Sequence, residues 1–141
     1  MAVAHILRQK GSAVVTVAPT ETVQSIVDTL AQHRIGAVVV VNELGGIIGI
    51  VSERDVVRAM AGDAAGVVRK TAADIMTARV RTCSPADSET DLMQVMTESR
   101  IRHLPVVAHG KLAGMVSIGD DVKLRMETME AESDQMNTYI A

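Results

Sequence analysis

The chain contains an internal repeat, in which residues 16–58 correspond to residues 82–123. The offset is 66 residues up to Asn42 and 65 after it, because the second copy is one residue shorter at a turn. A repeat of this length organises the whole fold. It predicts two similar units around a pseudo-twofold axis, with clefts between them. The identical pairs are Thr16/Thr82, Pro19/Pro85, Arg34/Arg100, Ile35/Ile101, Val40/Val106, Val41/Val107, Gly45/Gly110, Gly49/Gly114, Val51/Val116, Ser52/Ser117, Asp55/Asp120 and Val57/Val122.

The composition limits the possible ligands and partners. Of the 141 residues, 48% are apolar, but Phe and Trp are absent and Tyr139 is the only aromatic residue. A nucleic-acid base therefore has no aromatic platform on which to stack. The net charge of −3 and the lack of a basic run argue against a nucleic-acid or anionic membrane surface. Cys83 is a single cysteine and no metal-ligand spacing occurs, so we expect neither a disulfide nor a metal site.

The same sequence favours a cytoplasmic protein. The longest apolar runs have the length of strands and are too short to cross a bilayer. The first eleven residues lack the apolar segment of a signal peptide. We therefore expect no membrane segment.

Each repeat shows the pattern strand–helix–strand–strand–helix. Val23, Ile26, Val27 and Leu30 recur at helical spacing, and the run at 37–41 is continuously apolar, as in a strand covered on both faces. The predicted strands are 14–17, 37–41 and 47–52 in the first repeat, and 80–83, 104–107 and 112–117 in the second. The predicted helices are 23–30 and 54–60 in the first repeat, and a helix around 92–96 and one after residue 120 in the second.

Three segments lie outside these patterns. Short helices at 4–9 and 71–76 are predicted to lead into the first and second repeat, and residues 62–70 to form a linker rich in Gly and Ala. The last helix is predicted to run on to residue 139. It either packs back on its own core or contacts a second subunit, and both interpretations stay open. The nine Met residues are interpreted as mostly core-facing. The apolar stripe of the last helix is Val122, Met126, Met129, Met136 and Ile140.

Both repeats carry Gly-x-x-Ser-x-x-Asp where a strand meets a helix, at residues 49–55 and 114–120. Ser-x-x-Asp alone is typical of a helix capping box. Its duplication, a glycine that allows close approach, and the free amides of a helix N-terminus also suit a ligand. A serine hydroxyl with such amides can hold a phosphate, while an aspartate can accept both hydroxyls of a ribose.

The duplicated motif, together with Arg102-His103-Leu104-Pro105-Val106, resembles a pair of cystathionine β-synthase (CBS) domains. The resemblance covers about residues 3–126, and the lead-in and tail also resemble small stand-alone bacterial CBS-pair proteins. It implies an α+β fold, a tandem CBS-domain pair of two β-α-β-β-α repeats with pseudo-twofold symmetry. The implied domains are residues 1–62 for the first repeat with its lead-in helix, 63–76 for a linker and short helix, 77–126 for the second repeat and 127–141 for a C-terminal helical extension.

The resemblance further implies clefts between the repeats that bind adenosine-containing ligands, with Asp on the ribose and Ser on the phosphate. Each cleft would take residues from both repeats. The first would use Ser52, Arg54 and Asp55, with Arg102 and His103 from the other repeat and a base pocket running from Thr77 to Val80. The second would use Ser117 and Asp120, with Gly36 and Ala37 from the other repeat and Lys10, Gly11 and Val14 from the lead-in.

The two implied clefts differ in charge. Arg54, Arg102 and His103 all suit phosphate, so the first cleft is expected to bind the more highly charged nucleotide. The second has Gly119 in place of Arg54, and Lys10 is its one obvious cation. It is expected to bind AMP, a dinucleotide or nothing.

The resulting hypothesis is a regulatory module that binds an adenine nucleotide and forms a homodimer. AMP is the first candidate, followed by ADP, ATP and NAD(H), and no metal is required. Ligand binding would change the arrangement of the repeats and of the dimer, which a regulated protein could read. His103 has no nucleophile or metal ligand at a suitable spacing, so an enzyme is not expected. A ligand-free dimeric scaffold and a module that binds S-adenosylmethionine remain as alternatives.

Overall fold

The computed structural model of the protein describes residues 2–140, with side chains for all of them except residue 124 and residues 134–140. Its elements follow the predicted order. The first-repeat unit consists of residues 13–81 and 110–112, and the second-repeat unit consists of residues 2–12, 82–109 and 113–140. The helices are α1 (Val3–Lys10), α2 (Val23–His33), α3 (Glu53–Gly62), α4 (Ala72–Ile75), α5 (Glu89–Ser99) and α6 (Ile118–Ile140), with a 3-10 helix at Val67–Arg69; the strands are β1 (Thr16–Val17), β2 (Ala37–Val41), β3 (Ile47–Ser52), β4 (His103–Ala108) and β5 (Lys111–Ser117).

The first-repeat unit contains a three-stranded sheet in the order β1-β2-β3. β1 is parallel to β2, and β2 is antiparallel to β3. The bounds of β2 and β3 are those predicted from the two apolar runs. The first four residues of β2 are buried, which explains why its sequence is continuously apolar rather than alternating. Of the predicted apolar face of α2, Val23, Ile26 and Leu30 belong to the same core, whereas Val27 is exposed.

The second-repeat unit contains only a two-stranded sheet, β4-β5. The prediction of a strand at residues 80–83 is wrong, because Cys83 forms only an isolated parallel bridge with Val106. In the first-repeat unit, the N–H of Val39 donates to the carbonyl oxygen of Val15 at 3.3 Å. The corresponding residue here is Pro105, which has no N–H to donate. The ladder loses this hydrogen bond, and its first strand does not form.

The two lead-in helices form as predicted, but each packs on the repeat that it does not precede. In the first-repeat unit, the N–H of Ala72 in α4 donates to the carbonyl of Glu21 at 2.8 Å; in the second-repeat unit, the N–H of Val3 in α1 donates to the carbonyl of Asp87 at 2.8 Å. Glu21 and Asp87 correspond in the repeat, so α4 and α1 are structural counterparts. The packing therefore groups residues 2–12 with the second repeat, whereas the predicted domain of residues 1–62 groups them with the first.

The glycines three residues before each motif serine make room for these helices. A Cβ atom at Gly49 would collide with the side chain of Met76, which follows α4, and a Cβ at Gly114 would collide with Leu7 in α1. The two glycines thus make room for these side chains, and the close approach of a ligand to them stays a prediction. The space is filled by side chains from the lead-in segments.

The predicted linker at 62–70 is part of the first-repeat core. Val67 is buried in the 3-10 helix and belongs to the same apolar cluster as the buried strand β2. The turn before it is held by a hydrogen bond of 2.9 Å from the N–H of Gly66 to Oδ1 of Asp63. Val67 thus anchors this connection, while the neighbouring Val68 is exposed.

In the first turns of α6, a charged residue is buried and the apolar stripe is exposed to solvent. Asp121 is fully buried, and Nε of Arg125 donates to Oε1 of Glu89 in α5 at 2.7 Å. By contrast, Val122, Met126 and Met129 are 44%, 57% and 63% exposed. The interpretation that this stripe packs back on its own core is wrong for these three residues. The other two predicted members, at positions 136 and 140, lie outside the described side chains.

The methionines are less uniformly buried than predicted. Met96 in α5 is buried in the second-repeat core, but Met60 in α3 is exposed, as are Met126 and Met129 in α6. Within residues 2–140, no helix has both the length and the apolar character needed to cross a membrane.

Candidate functional site

The capping box of the duplicated motif occurs at the N-termini of four helices in the described chain. In each, the backbone N–H of a Ser or Thr donates to a carboxylate oxygen of the Asp three residues later, over distances of 2.8 to 3.0 Å. Two of the four boxes lie outside the duplicated motif, so Ser-x-x-Asp alone does not identify a ligand site. The boxes are Ser52–Asp55 at α3, Thr71–Asp74 at α4, Ser88–Asp91 at α5 and Ser117–Asp120 at α6.

In the first-repeat unit, Asp55 receives an additional hydrogen bond from outside its own turn. Its Oδ2 accepts from the backbone N–H and the hydroxyl of Ser52, at 2.8 and 3.0 Å, and its Oδ1 accepts from the hydroxyl of Thr77 at 3.0 Å. Thr77 follows α4 and pairs with Ile50 in β3 through two backbone hydrogen bonds. The buried Asp55 carboxylate is thus held between the end of β3 and the segment after α4.

In the second-repeat unit, Asp120 receives its additional contact from a cation. Its Oδ2 accepts from the backbone N–H and the hydroxyl of Ser117, at 2.8 and 3.1 Å, and from Nζ of Lys10 at 2.8 Å. Lys10 is the last residue of α1, and Gly11 ends the helix with a φ of 91° that glycine adopts readily. The lead-in of this unit therefore supplies an ammonium group where the other unit has a hydroxyl.

These contacts keep the Asp120 side chain ionised. Burial alone would raise the pKa of Asp120, but the hydrogen bonds from Lys10 and from the backbone of Ser117, together with the charge of Lys10, hold the pKa below its ordinary value. The exposed Asp74 and Asp91 also have a lowered pKa, first because of the backbone hydrogen bonds from their own Thr71 and Ser88. A lowered pKa thus also occurs in two boxes outside the duplicated motif, whereas the contact with Lys10 distinguishes Asp120 from Asp74 and Asp91.

Gly36 and Arg102 occupy equivalent positions beside the boxes of their own repeats. The carbonyl of Gly36 accepts from the N–H of Glu53 at 3.0 Å, and the carbonyl of Arg102 accepts from the N–H of Ile118 at 2.8 Å. Both residues come just before a strand, Gly36 before β2 and Arg102 before β4. Each backbone hydrogen bond ties that strand to the first turn of the following helix.

The structure brings together some of the predicted site residues within each unit. Within the first-repeat unit the structure brings together Ser52, Asp55 and Thr77, and within the second-repeat unit Lys10, Ser117 and Asp120. The contribution that each cleft takes from the opposite repeat remains a prediction. Arg54 is exposed in the first turn of α3, Ala37 is buried at the start of β2, Val14 and Val80 are half-buried, Gly11 is exposed, and Arg102 and His103 are exposed and half-buried at the start of β4.

Asp121 is a residue that sequence reasoning missed. It is 0% exposed, and neither carboxylate oxygen has a hydrogen-bond partner among the described residues. Burial raises its pKa and the nearby charge of Glu89 raises it further, while Arg125 lowers it. The signal was present in the repeat, because Asp121 corresponds to the buried apolar Val56. Among the described residues, no group of three His, Cys, Asp or Glu side chains is arranged to hold a metal ion.

Comparison with known proteins assigns the class. The family model described as CBS domain matches residues 4–62 and 72–120. The chain therefore belongs to the CBS domain family and contains two such domains, which confirms the resemblance and the α+β fold. The crystal structure of the CBS-domain containing protein ATU1752 from Agrobacterium tumefaciens is 43% identical, with a TM-score of 0.86, and the match covers 88% of this chain and 92% of that one.

Two further similar proteins are a longer plant relative and a CBS-domain pair that was crystallised with ligands. The "CBS domain-containing protein CBSX3, mitochondrial" of Arabidopsis thaliana is 36% identical over 124 residues, which cover 85% of this chain. The chain spans only 60% of the length of that relative. The CBS domain pair of protein MJ0100, crystallised in complex with 5′-methylthioadenosine and S-adenosyl-L-methionine, is 25% identical with a TM-score of 0.78, and the match covers 88% of this chain and 98% of that one.

Proposed function

We propose that this chain is a regulatory module that binds an adenine nucleotide, with AMP as the first candidate and ADP, ATP or NAD(H) as further ones. CBS-domain pairs are regulatory ligand-binding modules, and the related pair of MJ0100 was crystallised with two compounds that both contain adenosine. The part common to those compounds is a base with a ribose. A site for such ligands needs a group that recognises the ribose hydroxyls.

The observation that carries the proposal is the pair of aspartates at equivalent strand-to-helix junctions, each with a contact from a separate lead-in segment. An ionised carboxylate accepts hydrogen bonds only, so it suits the two hydroxyl donors of a ribose. The capping box fixes the orientation of Asp55 and Asp120 before any ligand arrives, which reduces the entropy lost on binding. In the first predicted cleft, the exposed Arg54 and Arg102 supply positive charge for phosphate and the half-buried His103 supplies a hydrogen-bonding imidazole.

The exposed apolar side chains of α3 and α6 support a homodimer. Val57 and Met60 project from α3, and three residues of the α6 stripe are also exposed. Exposed apolar groups at helical spacing are typical of surfaces that bury themselves against a partner. Nucleotide binding would then act by shifting the balance between arrangements of the repeats within the dimer, which a regulated protein could detect.

Binding of S-adenosylmethionine is the second candidate, because the MJ0100 pair was crystallised with it. Its positively charged sulfonium is disfavoured by the ammonium group of Lys10, which contacts Asp120. A ligand-free scaffold, in which all four boxes only cap helices, is the remaining alternative. Catalysis is not part of the proposal.

Titration calorimetry of nucleotide-stripped protein with AMP, ATP, NADH and S-adenosylmethionine tests the proposal. We expect saturable binding of an adenine nucleotide, and a loss of affinity of about tenfold or more for Asp55→Asn or Asp120→Asn, since a charged hydrogen-bond acceptor is removed. Asp91→Asn is the matched control, because it changes an equivalent capping box outside the duplicated motif. Equal effects of all three substitutions, or no binding of any compound, would leave the scaffold as the better account.

A further inference from the structure

The ion pair between Lys10 and Asp120 puts a cation on the carboxylate that the proposed function assigns to a ribose. Nζ of Lys10 lies 2.8 Å from Oδ2 of Asp120, the same oxygen that accepts two hydrogen bonds from Ser117. In the first-repeat unit, the corresponding Asp55 accepts from the neutral hydroxyl of Thr77. A ribose arriving at Asp120 must therefore displace an ammonium group, whereas at Asp55 it meets a hydroxyl.

The surroundings of this ion pair allow Lys10 to change partners. Its side chain is 37% exposed and that of Asp120 is 21% exposed, and ion pairs with this degree of solvent contact are weak. Lysine carries its charge on a flexible four-carbon stem. Gln9 holds the end of α1 to α6 by a separate hydrogen bond of 3.3 Å, from its Nε2 to Oε2 of Glu127. Release of Lys10 therefore does not require α1 to detach.

We propose that Lys10 determines which adenosine compounds the Asp120 site accepts, by exchanging the Asp120 carboxylate for a ligand phosphate. This inference rests on the proposed function. A nucleotide with a 5′-phosphate offers Lys10 a new anion while its ribose hydroxyls satisfy Asp120, so both charges stay paired. A neutral nucleoside satisfies Asp120 but returns Lys10 to water, and S-adenosylmethionine brings a second positive charge. The site therefore selects phosphorylated adenosines over neutral and cationic ones.

The test measures AMP and adenosine affinity by calorimetry in an Asp55→Asn background, so that the Asp120 site dominates the signal. Lys10→Met removes the charge and keeps the approximate length of the side chain. We expect AMP to bind about tenfold more weakly, because a charged contact is lost. Adenosine affinity should stay the same or increase, because the ammonium group of Lys10 no longer competes with the ribose hydroxyls for Asp120. Lys10→Arg should retain the preference for AMP, and the exposed Lys123→Met in α6 serves as a control that changes neither ligand.

The outcomes separate the two proposals. If Lys10→Met weakens AMP and adenosine equally, or changes neither while Asp120→Asn abolishes binding, the selectivity assigned to Lys10 is refuted and the proposed function stands. If Asp120→Asn changes neither affinity, or if neither compound binds, the proposed function of this site fails and the inference fails with it. Circular dichroism of each variant confirms that the fold is retained.

Discussion

The two repeats use the same box to hold an aspartate and differ in the segment that contacts it. Asp55 is approached by the hydroxyl of Thr77, from the segment after α4, whereas Asp120 is approached by the ammonium of Lys10, at the end of α1. The box is local and is set by residues three apart, so duplication preserved it. The third contact comes from a lead-in helix in the case of Lys10 and from the segment after one in the case of Thr77. The two aspartates therefore differ in their surroundings because of residues outside the duplicated motif.

A second difference lies one residue further along each helix. Val56 is buried in the apolar core of the first-repeat unit, while Asp121 is buried at the equivalent position of the second without a hydrogen-bond partner among the described residues. Burial of an unpaired polar group costs free energy. The comparison therefore predicts that the second-repeat unit is the less stable of the two at neutral pH, for a reason that a single substitution can remove.

The largest expected effect on stability comes from replacing Asp121 by the residue that the first repeat has at the equivalent position. Asp121→Val places the first-repeat residue at the equivalent position, and we expect the free energy of unfolding at pH 7 to increase by about 1–2 kcal/mol, because an unsatisfied carboxyl is replaced by an apolar side chain. Urea unfolding followed by circular dichroism measures it. A lower stability for this variant would show that the carboxyl has a partner that stabilises the fold.

Charge reversal at Arg102 tests the predicted difference in positive charge between the two clefts. Arg102→Glu should weaken ATP binding by about tenfold or more, because a cation assigned to phosphate becomes an anion. The affinity for AMP, which carries fewer charges, should fall less. Calorimetric titration with both nucleotides measures the two effects, and Arg69→Glu in the 3-10 helix is a control outside the predicted clefts. Unchanged affinity for ATP would contradict the assignment of Arg102 to the first cleft.

The pH dependence of stability provides an independent check on Asp121. Burial, and next the charge of Glu89, raise the pKa of Asp121 in the folded chain. Its neutral form therefore fits the fold better, so its contribution to stability is greatest below the pKa of about 3.9 in the unfolded chain and is lost as the pH rises through the folded value. The stability gain of Asp121→Val over the wild type should accordingly grow with pH. A gain that is constant between pH 4 and 8 would mean that Asp121 does not titrate in this range.

The smallest expected effect concerns a feature that both repeats share. Arg34 and Arg100 end α2 and α5 in the left-handed region, with φ angles of 54° and 53°. Glycine adopts this conformation without the steric penalty of a Cβ atom. Arg34→Gly is expected to raise the free energy of unfolding by about 0.5 kcal/mol, after the extra freedom of glycine in the unfolded chain is subtracted. Thermal unfolding measures it, and a marked loss of stability would indicate that the Arg34 side chain contributes to the fold.

Local sequence patterns were sufficient to predict most of the elements. β2 and β3 were predicted to the residue, because continuous apolar runs end at a turn or at a capping box. The missing strand before Cys83 was not predicted, although the responsible Pro105 is visible in the sequence. Its effect depends on which strand pairs with it, and that is a tertiary property. The exchange of α1 and α4 between the repeats depends on tertiary packing in the same way.

The candidate site could be predicted in part. The two aspartates and their serines follow from the duplicated motif, and Lys10 was assigned from the family resemblance. The contact of Thr77 with Asp55 and the burial of Asp121 required the structure, because each involves side chains brought together by packing between separate elements. The repeat comparison offered a hint for Asp121, since a charged residue stood where the other copy has a buried valine.

The central claim is that the boxes at Asp55 and Asp120 bind an adenine nucleotide, whereas the boxes at Asp74 and Asp91 only cap helices. Amide chemical shifts of the full 141-residue chain, recorded during titration with AMP, compare all four boxes in one sample. The account predicts saturable shifts at Ser52 or Ser117 and their aspartates, with the box at Ser88 unchanged. Shifts of equal size at all four boxes, or at none of them, would contradict it.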